Sequence, residues 1–304
     1  MNPDSLNYYI LHFLVSSFVC AVDVFMLISG YFSVNSLKVD LWKPIKLFIQ
    51  VIVFSVGVFI LRCLFGTADF TFDKLIIYLL PINYFVILYV AVYITSPYIN
   101  LLIQSLDIKQ NRKLVLVLML LFSVYPTIVD ILSIVLKNKL MGLSTIGIFG
   151  SQWGYTIVNF LLMYIIGAVL RRDDVVIKYL TNKCKFYLCI VIMIITYLSI
   201  LFTSQDVYWY YHNPLVILAA VFIFVFFYNL KIVKSKVVNS MAQSVFTVFL
   251  MYSWFFKYLK IQEYAISNSL VMLVHLLGSA VFIFILCYPV GLLYNFLEAK
   301  VIAQ

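Results

Sequence analysis

Two carboxylates stand inside runs apolar enough to cross a bilayer: Asp23 in "VDVFMLISGYF" (residues 22–32), and Asp130 near the middle of a later run. An ionisable group at that depth faces a bundle interior or a watery cavity and marks a relay, a substrate site or a structural ion pair. On a 100° wheel, Ser16, Cys20, Asp23 and Gly30 share one stripe of the first run, and Leu14, Phe18, Phe25, Ile28 and Phe32 lie opposite. The small-residue stripe therefore packs against protein and the bulky face meets lipid. Two roles stay open for Asp23: an ion pair or interhelical hydrogen bond that fixes the bundle, or direct participation in a substrate cavity. Asp130 carries the same alternatives, with Pro126 already disturbing its helix. Gln50, Arg62, Asn100, Gln104, Asn159 and His275 read first as interhelical glue.

The histidines are His12, His212 and His275. None has an acid at dyad spacing, so no base–nucleophile pair is legible from local sequence. The chain has no P-loop, GxGxxG, GxSxG or HExxH pattern. The five cysteines are scattered, without the spacing of a zinc site or a disulfide framework, and no metal is expected.

The elements that carry these residues follow from composition. Of 304 residues, 65% are hydrophobic and 11% are charged, with mean hydropathy +1.08. A soluble domain keeps roughly a quarter of its residues charged. The reading is an all-α, polytopic membrane helical bundle of about nine spans. They lie near 8–32, 45–65, 76–104, 113–136, 153–170, 186–204, 214–230, 244–259 and 268–293. The third carries Pro81 and Pro97 and is expected to kink or break. The polar connections, about 15 residues at most, leave no room for a soluble domain, so residues 1–304 are read as one membrane-embedded domain.

The net charge of +9 is explained by topology rather than by nucleic acid. Lys38, Lys43, Lys46, Lys109, Arg112, Lys113, Arg171, Arg172, Lys178, Lys183, Lys185, Lys231, Lys234, Lys236 and Lys300 fall on one side. Arg62, Lys74, Lys137, Lys139, Lys257 and Lys260 fall on the other, and the two sets together are all 21 basic residues. The richer side is expected in the cytoplasm with the C-terminus, which puts Met1 outside. "MNPDSLN" has no basic n-region. An outside start is expected either from a missing first helix or from N-out insertion.

Five stretches in order resemble the integral-membrane acyltransferase-3 family. "VDVFMLISGYF" resembles the opening of its second helix, and "NYFVILYVAVYITSPYIN" (83–100) its aromatic–aliphatic helix ending in proline and asparagine. "FLLMYIIGAVLRR" (160–172) resembles its Tyr-x-x-Gly helix closing on basic residues. "YYHNPLVILAAVFIFVFF" (210–227) and "FILCYPVGLLYNFLE" (284–298) also match. The resemblance implies a ten-helix pattern and an enzyme that moves an acetyl or other acyl group from cytoplasmic acyl-CoA. The acceptor would be a sugar hydroxyl of a cell-envelope polysaccharide or glycolipid. The chain departs from the pattern in two places. The family's first helix, with its arginine and the histidine regarded as the base, has no counterpart here. In "FTVFLMYSW" (246–254), Tyr252 stands where a family histidine would fall. Both departures bear on whether the chain as given is active.

Under this reading Asp23 and Tyr31 line the acyl-transfer space, with Tyr252 at the former histidine position. Lys38, Lys43, Arg171 and Arg172 meet the phosphates of acetyl-CoA. The expected surroundings are the cell membrane, its lipid and a carbohydrate acceptor. The alternative is a transporter or flippase of a glycan precursor. Only one doubly proline-marked helix is present, without the paired counterpart that inverted repeats supply.

Overall fold

The computed structural model describes residues 5–138, 140, 154–173, 181–199, 209–230 and 235–302. Lys139, Lys178, Lys231, Lys234, residues 1–4 and the end of the expected 186–204 span lie outside the described residues. No strand occurs among the described residues. In chain order the helices are α1 (Leu6–Phe18), α2 (Ala21–Ser33), α3 (Trp42–Leu64), α4 (Phe72–Leu79), α5 (Tyr84–Ser105) and α6 (Ile108–Met119). A π-helical turn at Leu120–Val124 leads into α7 (Tyr125–Val135). Next come α8 (Ile157–Arg172), α9 (Asn182–Leu198), α10 (Pro214–Tyr228), α11 (Lys236–Leu259), α12 (Ile261–Ala265) and α13 (Ser269–Ile302).

Five helical stretches among the described residues are long and apolar enough to cross a bilayer. They are Leu6–Ser33, Trp42–Leu64, Phe72–Ser105, Ile108–Val135 and Ser269–Lys300. Their outward faces are rich in exposed large side chains, among them Phe18, Phe32, Leu64 and Leu270. A water-soluble fold does not leave so much apolar surface bare. The chain is a multi-pass helical membrane protein.

Local chemistry sets the boundaries. Pro81 disfavours a helical conformation at the residue before it, and Leu80 is extended (ψ 131°), which separates α4 from α5. Pro97 sits inside α5 without ending it. A proline nitrogen cannot serve the carbonyl four residues back, here Tyr93, and the Ser96 hydroxyl donates to that oxygen at 2.7 Å instead. Thr156 caps α8 by accepting from the Asn159 N–H, and Asn213 caps α10 by accepting from Leu215 with Pro214 in the first turn. Asp107 and Gln110 form a reciprocal capping box at α6.

The chain forms two compact units. One comprises residues 1–10, 41–83 and 231–304. Its core joins Phe54 and Val58 of α3 to Met251 and Phe255 of α11 and to Ile283 and Cys287 of α13. Gly291 rests against the Ser244 side chain, and the Ser240 and Tyr288 hydroxyls meet at 2.7 Å. Asn7 donates to the carbonyls of Ala265 and Ser267, which ties the first turn of α1 to the segment before α13.

The other unit comprises residues 11–40 and 84–230. Its centre is the crossing of α2 and α8. A Cβ at Gly30 would fall on the Tyr164 carbonyl, and one at Gly167 would fall on the Leu27 carbonyl. Only glycine lets the two backbones approach so closely. Met26, Leu27, Phe160, Met163, Val216, Ile217 and Ala220 fill the space around that crossing. The stripe expected on the first span holds. Ser16, Cys20, Asp23 and Gly30 are buried and Phe18, Phe25, Ile28 and Phe32 are exposed, while Leu14 is half-buried.

Candidate functional site

The second unit carries three polar links between its helices. The first joins Asp23, one residue inside the first turn of α2, to Asn159 in the first turn of α8. Asn159 donates to Asp23 Oδ1 at 3.0 Å, and Asp23 is 1% exposed. Asp23 Oδ2 and Asn159 Oδ1 are buried without a hydrogen-bond partner. Of the two roles open for Asp23, the interhelical hydrogen bond is therefore present. The carboxyl is not consumed by it, because one oxygen remains over.

In the second link every polar atom of the Asn100 side chain is satisfied. Tyr164 donates to Asn100 Oδ1 at 3.0 Å, and Asn100 donates to the Ser33 and Ser36 carbonyls at 2.8 and 2.7 Å. These carbonyls lie at the end of α2 and just beyond it, where a helix leaves acceptors unpaired. Gln104 adds a donor to the Val34 carbonyl at 2.6 Å. Asn100 and Gln104 thus act as the glue their residue types suggested.

The third link is at the far end of the same helices. Tyr31 lies eight residues past Asp23, roughly 12 Å along the axis. It packs against Phe224 and Tyr228, and the exposed Arg171 guanidinium lies over its ring while donating to its hydroxyl at 3.2 Å. Arg172 points elsewhere and donates to the carbonyls of Ile103 and Leu106, closing the end of α5. Lys38 is exposed in the segment after α2. Lys43 and Tyr252 belong to the other unit, both exposed, with Tyr252 stacked on Phe249 and edge-on to Phe256. Asp23, Tyr31, Arg171 and Arg172 are thus placed on two touching helices.

A fourth feature was not legible in the sequence. His212 precedes α10 and is 1% exposed, and its Nε2 lies 3.0 Å from Asp130 Oδ2 on α7. Its Nδ1 is buried without a partner. Ser123, in the π-helical turn, donates to the His212 carbonyl at 2.6 Å, and a Cβ at Gly154 would strike the His212 backbone nitrogen. The same region is aromatic. Tyr155 packs edge-on against Tyr84 and Tyr211, with the Tyr155 and Tyr211 hydroxyls 3.3 Å apart. Burial, and then the Tyr155 hydroxyl, push the Tyr211 phenol above its ordinary range, so it stays protonated. Residues 82 positions apart cannot be paired from periodicity.

The other histidines are engaged by aromatic rings, His12 against Trp209 and His275 against Tyr264. No group of three or more metal-ligating side chains occurs among the described residues. Comparison with known family models, curated proteins and solved structures returns no match for the chain.

Proposed function

We propose that the chain is a membrane O-acyltransferase that moves an acetyl or related acyl group from acyl-CoA to a sugar hydroxyl of a cell-surface polysaccharide or glycolipid. The observation that supports this reading is the meeting of three stretches that carry the family resemblance. Gly30 of "SGY" rests on Tyr164 of "YIIG", Gly167 rests on Leu27, and Asn100 of "SPYIN" joins Tyr164 to the end of α2. Stretches that resemble one family in order, and depend on one another in space, favour that family's bundle over an unrelated helical one.

In this reading nine spans cross the cell membrane with the C-terminus in the cytoplasm, following the distribution of basic residues. Acyl-CoA enters at the Arg172 end of α8. The exposed Arg171 offers its guanidinium to a phosphate there, with Lys38 as a further contact. Arg172 supports that end by holding α5. The acceptor enters from the opposite side, and Asp23 and Tyr31 line the path between. Bound acyl-CoA supplies the activated thioester, and the chain supplies position and proton handling.

Membranes holding the full chain, given radiolabelled acetyl-CoA and envelope glycan, test the reading. Chain-dependent label in the glycan is the expected result, and absence of label from every glycan offered sinks it. Among the described residues, the discontinuous Phe72–Ser105 stretch is the feature that favours a transporter. Glycan flux without covalent change would establish that reading instead.

A further inference from the structure

We propose that His212 is the catalytic base of this chain and Asp130 its positioning residue, with the buried Nδ1 of His212 taking the proton of the acceptor hydroxyl. The proposal rests on the acyltransferase reading above.

The tautomer follows from the contact. With Asp130 as a carboxylate and His212 as the neutral imidazole, the 3.0 Å contact puts the ring hydrogen on Nε2 and leaves the lone pair on Nδ1. That nitrogen is buried without a partner, and a buried polar atom in this condition calls for a function. Thr127, one turn before Asp130 on the same face of α7, has a buried hydroxyl oxygen in the same condition. A ligand rich in hydroxyl groups satisfies both kinds of atom.

The ring is held from several directions. Asp130 holds Nε2, Ser123 holds the carbonyl, Gly154 closes on the backbone nitrogen, and Tyr210 lies beside the ring. The Ser123 contact comes from the π-helical turn, an irregularity frequent at functional sites. This is the arrangement of an acid, an oriented imidazole and a hydroxyl nucleophile, with the substrate supplying the hydroxyl.

The step balances without a further reagent. As the acceptor oxygen bonds to the thioester carbonyl carbon, its proton passes to Nδ1. The carbon–sulfur bond then breaks with its electron pair going to sulfur. His212 returns the proton to that sulfur, so alcohol and thioester become ester and thiol.

The test uses the full chain in membranes, with His212→Gln and Asp130→Asn compared at equal membrane abundance. His212→Gln is expected to lower kcat by about 10²–10⁴-fold with little change in the KM for acetyl-CoA. Asp130→Asn is expected to lower kcat about tenfold or more, again with KM little changed. Nitrogen NMR of the histidine-labelled wild-type chain supplies a readout independent of turnover. A proton on Nε2 and a bare Nδ1 are expected, with that preference lost in Asp130→Asn. Wild-type transfer by His212→Gln, or a proton fixed on Nδ1, overturns the proposal. If the wild-type chain transfers no label, the acyltransferase reading fails. The tautomer then decides the base separately, a bare Nδ1 supporting it and a protonated one rejecting it.

Discussion

Asn159 donates to Asp23 at 3.0 Å across the α2–α8 crossing, and each residue keeps one buried oxygen without a donor. An amide at position 23 corrects both at once, because its nitrogen can donate to Asn159 while its oxygen still accepts. Asp23→Asn should therefore hold or raise thermal stability in detergent, by about 1 kcal/mol where the new bond forms. If the carboxylate lines the transfer path, the same variant loses transfer at unchanged membrane abundance. Marked destabilisation would show that Asp23 needs its charge for folding.

The glycines divide into two classes by their surroundings. Gly30→Ala and Gly167→Ala each drive a methyl into a facing backbone carbonyl and should cost about 1–3 kcal/mol or more. A Cβ at Gly57 or Gly278 meets nothing within 4 Å. Alanine there should be neutral or stabilise by about 0.5–1 kcal/mol through helix propensity. Thermal unfolding of the four variants separates the classes, and equal effects would contradict the close crossing.

Asn100 serves three partners and is 0% exposed. Asn100→Ala should cost about 1–3 kcal/mol for each buried group it strands. Tyr164→Phe removes a single hydrogen bond and should cost about 1 kcal/mol. A larger loss in Tyr164→Phe than in Asn100→Ala would reverse this ranking.

Arg171 and Arg172 are neighbours with different partners. Arg171→Gln should raise the KM for acetyl-CoA about tenfold while the fold is kept, since its guanidinium is exposed and one charged contact of about 1.4 kcal/mol is lost. Arg172→Gln strips donors from the end of α5 and should lower thermal stability instead. Detergent melting curves and acetyl-CoA titrations of the two variants distinguish the roles.

Periodicity and residue type made the helices and their faces legible. The small-residue stripe through Ser16, Cys20, Asp23 and Gly30 was readable because burial along one helix repeats with its turn. The break before Tyr84 was readable from the constraint of Pro81 on Leu80. The continuity of α5 through Pro97 was not, because it depends on the Ser96 hydroxyl serving one carbonyl. The His212–Asp130 pair was hidden for a different reason. Each residue alone looks like an isolated polar group, and only the packing of α7 beside the segment before α10 joins them. The resemblance marked the residues that knit α2, α5 and α8, and it left the histidine beside α10 unassigned.

The proposed activity is the placing of ester-linked acyl groups on envelope sugars. The most direct measurement is the content of alkali-labile acyl esters in glycan purified from cells with and without the chain. The account predicts esters that depend on the chain and fall to background in His212→Gln. Identical ester content with and without the chain would contradict it.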